Sequence, residues 1–156
     1  MKRTLIIFGI IILAGIAWYG IAPIFMKTVV DEPLPMSTDT PTAPPLPEVT
    51  ELRPPAAVTG TPGHPASGTA RIVVDGGQEY LRYENFKTIN GPDLRVYLAT
   101  DTDAKDFIDL GPLRGTEGNI NYPIPAGTDT AKYHYALTWC EDFAVLFNAA
   151  DISRSR

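Results

Sequence analysis

The sequence predicts a small all-β domain, an antiparallel sandwich or partly closed barrel of about seven strands, preceded by one transmembrane helix and a proline-rich linker. Three observations lead there. Between Gly68 and Ile152, apolar residues recur in short runs divided by turn signals, and none sustains the 3.6-residue period of a helix. Residues 4–26 carry no charge. Ten prolines fall between Pro33 and Pro65, with no aromatic residue among them. The 156 residues therefore divide into a cytoplasmic stub (1–3), a transmembrane signal-anchor helix (4–26), a disordered stalk (27–67), the β domain (68–152) and a tail (153–156).

The uncharged run Thr4–Met26 holds twenty-three residues, and at about 1.5 Å per residue such a helix crosses the roughly 30 Å hydrocarbon core of a bilayer. A cleavable secretory signal is the competing reading, with Lys2 and Arg3 as its basic region and Gly20-Ile21-Ala22 as a weak cleavage site. The run is longer than a signal's apolar region, which favours an anchor. Lys2 and Arg3 precede the helix and only Lys27 follows closely, so the positive-inside bias puts the rest of the chain outside the cytoplasm. Trp18, Tyr19 and Phe25 suit the outer interfacial belt. Proline-rich chain favours extended geometry of about 3.1 Å per residue, and a stalk of that kind holds a domain tens of ångströms from the membrane. Pro41, Pro44 and Pro47 have PxxP spacing, although a plain spacer fits better outside the cytoplasm.

Within the domain, 69–75 and 79–86 flank Asp75-Gly76-Gly77 and form a hairpin, with Leu81 and Tyr83 on one face and Tyr80 on the other. After Asn90-Gly91-Pro92, Leu94, Val96 and Leu98 alternate with Asp93, Arg95 and Tyr97, the pattern of a half-buried strand with one solvent face. Shorter strands are expected at 107–110 and 119–124, and a final pair at 132–140 and 143–152. The domain has thirteen acidic residues against seven Lys and Arg, which argues against nucleic acid or an anionic membrane surface as a partner. Asp101, Asp103, Asp106 and Asp109 crowd one loop. Lys105, Asp106 and Pro112 stand where an EF-hand needs a ligand, glycine and glutamate, so a solvated loop is the better reading. Tyr80, Tyr83, Tyr97, Tyr122, Tyr133 and Tyr135 either line a ligand groove or fill the core. GxSxG, HExxH and phosphate-binding glycine patterns are absent, so no motif of a stand-alone enzyme stands out.

A set of positions runs through the whole domain: Leu81, Asn85-Phe86, Gly91-Pro92-Asp93-Leu94, Val96-Tyr97-Leu98, Leu110-Gly111, Leu113, Gly115, Gly118-Asn119, Tyr122, Tyr133, Trp139-Cys140, Phe143, Phe147 and Ala149-Ala150. In this order they resemble the DM-thirteen family, an extracytoplasmic all-β module sometimes found beside DOMON domains. The resemblance implies electron transfer or oxidative modification at the cell surface, with a redox partner protein and with Cys140 as a redox thiol or cofactor ligand. Haem is the cofactor that the resemblance brings into question.

Cys140 is the only cysteine. Outside the cytoplasm a lone thiol is left with intermolecular pairing, a small-thiol cap, a metal or cofactor, or burial. Glu141 and Asp142 follow it and oppose a thiolate. His134 shares its strand parity, but six residues place it roughly 20 Å away along a strand, whereas metal–ligand bonds are near 2 Å. His64 lies in the proline-rich segment and is expected to be a poor rigid ligand. No metal site is assigned. With no CxxCH, local spacing gives no support for covalent haem, and a ligand such as Met36 would have to come from the tether. The candidate site is therefore Cys140 with Trp139, Phe143 and Tyr133 around it. The alternative is a non-catalytic ligand- or protein-binding module in which Cys140 only packs.

Overall fold

The turn at Asp75-Gly76-Gly77 closes the hairpin the sequence predicts. Gly76 and Gly77 take φ values of 55° and 86°, and Asp75 pairs with Gln78 across the turn. The computed structural model describes residues 2–21, 26–35, 50–51 and 54–153. In chain order the elements are α1 (Lys2–Ile21), β1 (Val29–Asp31), β2 (Thr50–Glu51), β3 (Ala56–Ala57), β4 (Thr59–Gly60), β5 (Ala66–Asp75), β6 (Gln78–Thr88), β7 (Leu94–Ala99), β8 (Phe107–Pro112), β9 (Glu117–Pro123), β10 (Tyr135–Cys140) and β11 (Val145–Asp151). One sheet runs β1-β9-β6-β5-β2, with β3 also on β5; the other runs β4-β11-β10-β7-β8. Neither closes into a barrel, and every pairing is antiparallel except β1 with β9.

The sheets meet over a core to which both contribute. Ile72, Leu81, Tyr83 and Ile120 come from the first sheet and Val96, Leu98, Ala136 and Ala150 from the second. This is a β-sandwich, and the seven expected strands appear as β5 to β11. Leu81 and Tyr83 are buried as their parity predicts. A register shift between Tyr83 and Phe86 then turns Phe86 inward as well.

The expected stalk differs from the structure. Residues 27–67, expected as a disordered stalk, contribute β1 to β4 and the start of β5 to the sheets. The physical reason is edge pairing: two- and three-residue strands need no core of their own when β9, β5 and β11 offer open edges. β1 is held firmly. Arg114 forms an ion pair with Glu32 at 2.8 Å, and Asn121 N donates to Glu32 Oε2 at 2.7 Å. Arg82 donates to the carbonyls of Glu32 and Pro33. Gly118, at φ 119°, is required there because a Cβ would sit on the backbone of Val30.

The described residues do not support the expected membrane helix. Among the described residues, no helix is long and apolar enough to cross a membrane. α1 is described over Lys2–Ile21, and residues 22–25 of the expected span to Met26 lie outside the described part, as do the PxxP prolines and Met36. Tyr19 of α1 donates to Asp142 Oδ2 at 2.8 Å, and β1 begins eight residues after α1 ends.

Candidate functional site

Cys140 is the last residue of β10, opposite Leu94 on β7 and Val145 on β11. Strand parity turns its side chain into the sandwich, where it is wholly buried in a small cluster with Leu94 and Phe147, flanked by Ile89 and Leu113. Its Sγ donates to the carbonyl of Pro92 at 2.9 Å. Burial pushes the thiol pKa above its ordinary value. Backbone N–H groups of Phe143 and Asp142 pull it down, and the charges of Asp142 and Asp93 push it up again. The acidic neighbours thus act in the direction the sequence suggests, but loss of water is the larger cause.

Behind one layer of side chains lies a cleft of about 290 Å³ whose walls include His64, Ile89, Pro92, Phe143, Val145 and Phe147. Pro92 and Phe147 are the same residues that bond to and pack on Cys140. Gly91 lets Phe147 in: a Cβ there would come within 2.8 Å of the ring's Cζ. His64 stacks on Phe147 with centroids 4.0 Å apart, and its Nδ1 lies 2.9 Å from Thr61 Oγ1. A Thr61–His64 bridge and Thr61 N donating to the Phe147 carbonyl at 3.0 Å fix this turn against β11. Reading His64 as part of a loose tether misses this. Sequence offers one signal for it, the Thr-Pro-Gly-His turn beside the two-residue strand β4.

The other expected site residues scatter. Phe143, in the β10–β11 turn, is 59% exposed at the rim of the cleft, the one surrounding residue brought to this end. Trp139, one residue from Cys140, belongs to the opposite face of its sheet, in a cluster with Tyr97, Leu137 and Leu146. Tyr133 precedes the far end of β10; its hydroxyl donates to Asp106 at 2.9 Å, and Lys132 lies over its ring. His134 also precedes β10, its ring tilted against that of Tyr135 with centroids 4.7 Å apart, so it stays apart from Cys140. The acidic loop is spent on ion pairs: Asp103 with Lys105, Asp106 with Lys132, Asp109 with Arg95. Among the described residues, no group of three His, Cys, Asp or Glu side chains could hold a metal ion. A haem iron would need an axial donor, and Cys140 Sγ is turned to a carbonyl inside the sandwich, so the resting arrangement does not fit that group. Of the six tyrosines, Tyr83, Tyr97 and Tyr122 are buried core residues. Tyr97 corrects the expectation of a solvent face on β7: Phe107 stacks on it at 4.1 Å and its hydroxyl donates to Glu141 at 2.6 Å.

A family model described as electron transfer DM13 matches residues 59–152, the sandwich from β4 to the end of β11. No curated protein and no solved structure matches the chain.

Proposed function

The chain belongs to the electron-transfer DM13 family, and from that premise we propose that it is a membrane-anchored, extracytoplasmic domain with an accessory redox role centred on Cys140. The family match carries the redox part of this reading, because Cys140 is the only residue of the chain with thiol chemistry. A thiol that is buried, bonded to a carbonyl and raised in pKa is a poor nucleophile at rest. Exchange with a partner therefore requires the turn Glu141–Ala144 to swing away and uncover Sγ. That turn is exposed along its whole length, and its movement breaks the hydrogen bonds from Tyr97 to Glu141 and from Tyr19 to Asp142. The partner is a redox protein that can reach the exposed turn.

Anchoring is supported by the uncharged run Thr4–Met26 and by the exposure of the described apolar side chains of α1, among them Ile6, Ile10, Leu13, Ile16 and Trp18. Lys2 and Arg3 ahead of that run favour a domain outside the cytoplasm. The clamp on β1 then holds the sandwich close to the bilayer rather than at the end of a long stalk. One observation favours a second reading, a binding module with a structural thiol: Cys140 is completely buried. Ultraviolet–visible spectra and native thiol labelling of the purified chain test the two. A cofactor band or labelling in the folded state supports the redox role; a colourless chain that labels only when unfolded supports the binding module.

A further inference from the structure

We propose that the cleft beside Cys140 binds a small neutral phenol, whose hydroxyl donates a hydrogen bond to His64 Nε2. The assignment rests on which atoms of the cleft remain available. Thr61 Oγ1 has one proton and lies 2.8 Å and 3.2 Å from the carbonyls of Leu146 and Phe147, where that proton must go. The short contact between Thr61 Oγ1 and His64 Nδ1 then needs its proton from the ring, so the neutral imidazole is the Nδ1–H tautomer. Its Nε2 is an acceptor and has no hydrogen-bond partner among the described residues. A ligand that satisfies it must bring a donor.

The walls decide the rest. None of the residues lining the cleft is Asp, Glu, Lys or Arg, so apart from the imidazole of His64 no ionisable group there would offset the desolvation of a charged ligand. Phe143, Phe147, Ile89, Val145 and Pro92 give an apolar surface with two aromatic rings, which suits a flat ring. A volume of about 290 Å³ lies at the small end of ligand pockets and is enough for a single ring. The Asn90 side-chain oxygen is taken by Gly91 N at 3.0 Å, which leaves its NH₂ group as a donor for a second ligand oxygen. A hydroxyl-bearing aromatic ring meets each of these conditions. The same chemistry could arrive from water or, for a long-tailed phenol, from the lipid phase.

The test is calorimetric titration of the full chain in lipid nanodiscs with 4-methylphenol and with 4-methylanisole, the same ring without a donor. The phenol is expected to bind on the order of tenfold tighter, the worth of one hydrogen bond. His64→Phe keeps an aromatic ring against Phe147 but removes the acceptor, and should bring the phenol down to the affinity of the ether. Equal affinities for the two probes on the unsubstituted chain, or no binding of either at millimolar concentration, would overturn the proposal without reliance on any variant. An unchanged preference for the phenol in a folded His64→Phe chain would overturn the role of His64. With 4-nonylphenol, tighter binding to the chain in nanodiscs than in a lipid-free amphipol complex places the source in the bilayer; equal binding places it in water.

Discussion

Replacing Cys140 separates its packing from its hydrogen bond. The side chain has no accessible surface and touches Leu94 and Phe147, while Sγ donates to the Pro92 carbonyl at 2.9 Å. In Cys140→Ala the lost sulfur is worth about one buried methylene, ~0.8 kcal/mol. The Pro92 carbonyl loses its donor at a cost of about 1–3 kcal/mol. The total is about 2–4 kcal/mol. Cys140→Ser carries the cost of a hydroxyl in apolar surroundings, about 1–3 kcal/mol, offset by about 0.5–1.5 kcal/mol from a retained bond to Pro92. Serine should therefore cost about 0.5–1.5 kcal/mol and be the milder change. Equilibrium urea unfolding followed by far-ultraviolet circular dichroism measures both, and a domain of this size should lose several degrees of Tm. If Cys140→Ser lies within 0.5 kcal/mol of the parent, or is worse than alanine, the thiol does not occupy a dry site bonded to Pro92.

The remaining predictions concern the frame around the site. Gly118→Ala places a Cβ against the backbone of Val30 at a φ of 119°, and should release β1 at a cost of about 1–3 kcal/mol; hydrogen exchange at residues 29–32 should accelerate while the core of β10 stays protected. Burial opposes ionisation of Glu84, but hydrogen bonds from Arg82 and Arg71 outweigh it and hold the carboxyl below its ordinary range. Its folded pKa is thus depressed, so the stability it supplies is present above about pH 4.3 and is lost as pH falls through the folded pKa. Glu84→Gln should remove part of the acid-induced loss of stability and cost about 1–3 kcal/mol at neutral pH, measured by urea unfolding across pH. The Cys140 thiol has the opposite sign: its pKa is raised in the folded chain, so stability should decline as pH rises above about 8.5, and Cys140→Ala should flatten that decline.

Much of this architecture is legible in the sequence because strand parity records burial. Leu81 with Tyr83, and Leu94 with Val96 and Leu98, lie in strand parity on the core face, although Arg82 and Tyr97 between them are buried too, and the glycine turns mark where strands end. What escapes is whatever depends on a neighbour distant in sequence. β1 to β4 are too short to show a period and exist only as partners of other edges. Tyr97 reads as a solvent-facing residue until Phe107 is folded onto it. The site shows the same division. The acidic neighbours of Cys140 are local and readable, whereas its main determinant, burial beneath Pro92 and Phe147, is not. Trp139 and Phe143 flank Cys140 in sequence, yet parity sends Trp139 to the other face, and only Phe143 reaches the cleft. His64 arrives there from a proline-rich stretch because Thr61 fixes it to β11.

The redox role of Cys140 requires that Sγ be reached without unfolding the sandwich. The direct measurement is the rate of labelling of the full chain by an aromatic disulfide at neutral pH, set beside the rate of global unfolding under the same conditions. The account predicts labelling well faster than unfolding, and faster still in Phe143→Gly, which loosens the Glu141–Ala144 turn. Labelling that never exceeds the unfolding rate, in either chain, would contradict it and leave Cys140 as a packing residue.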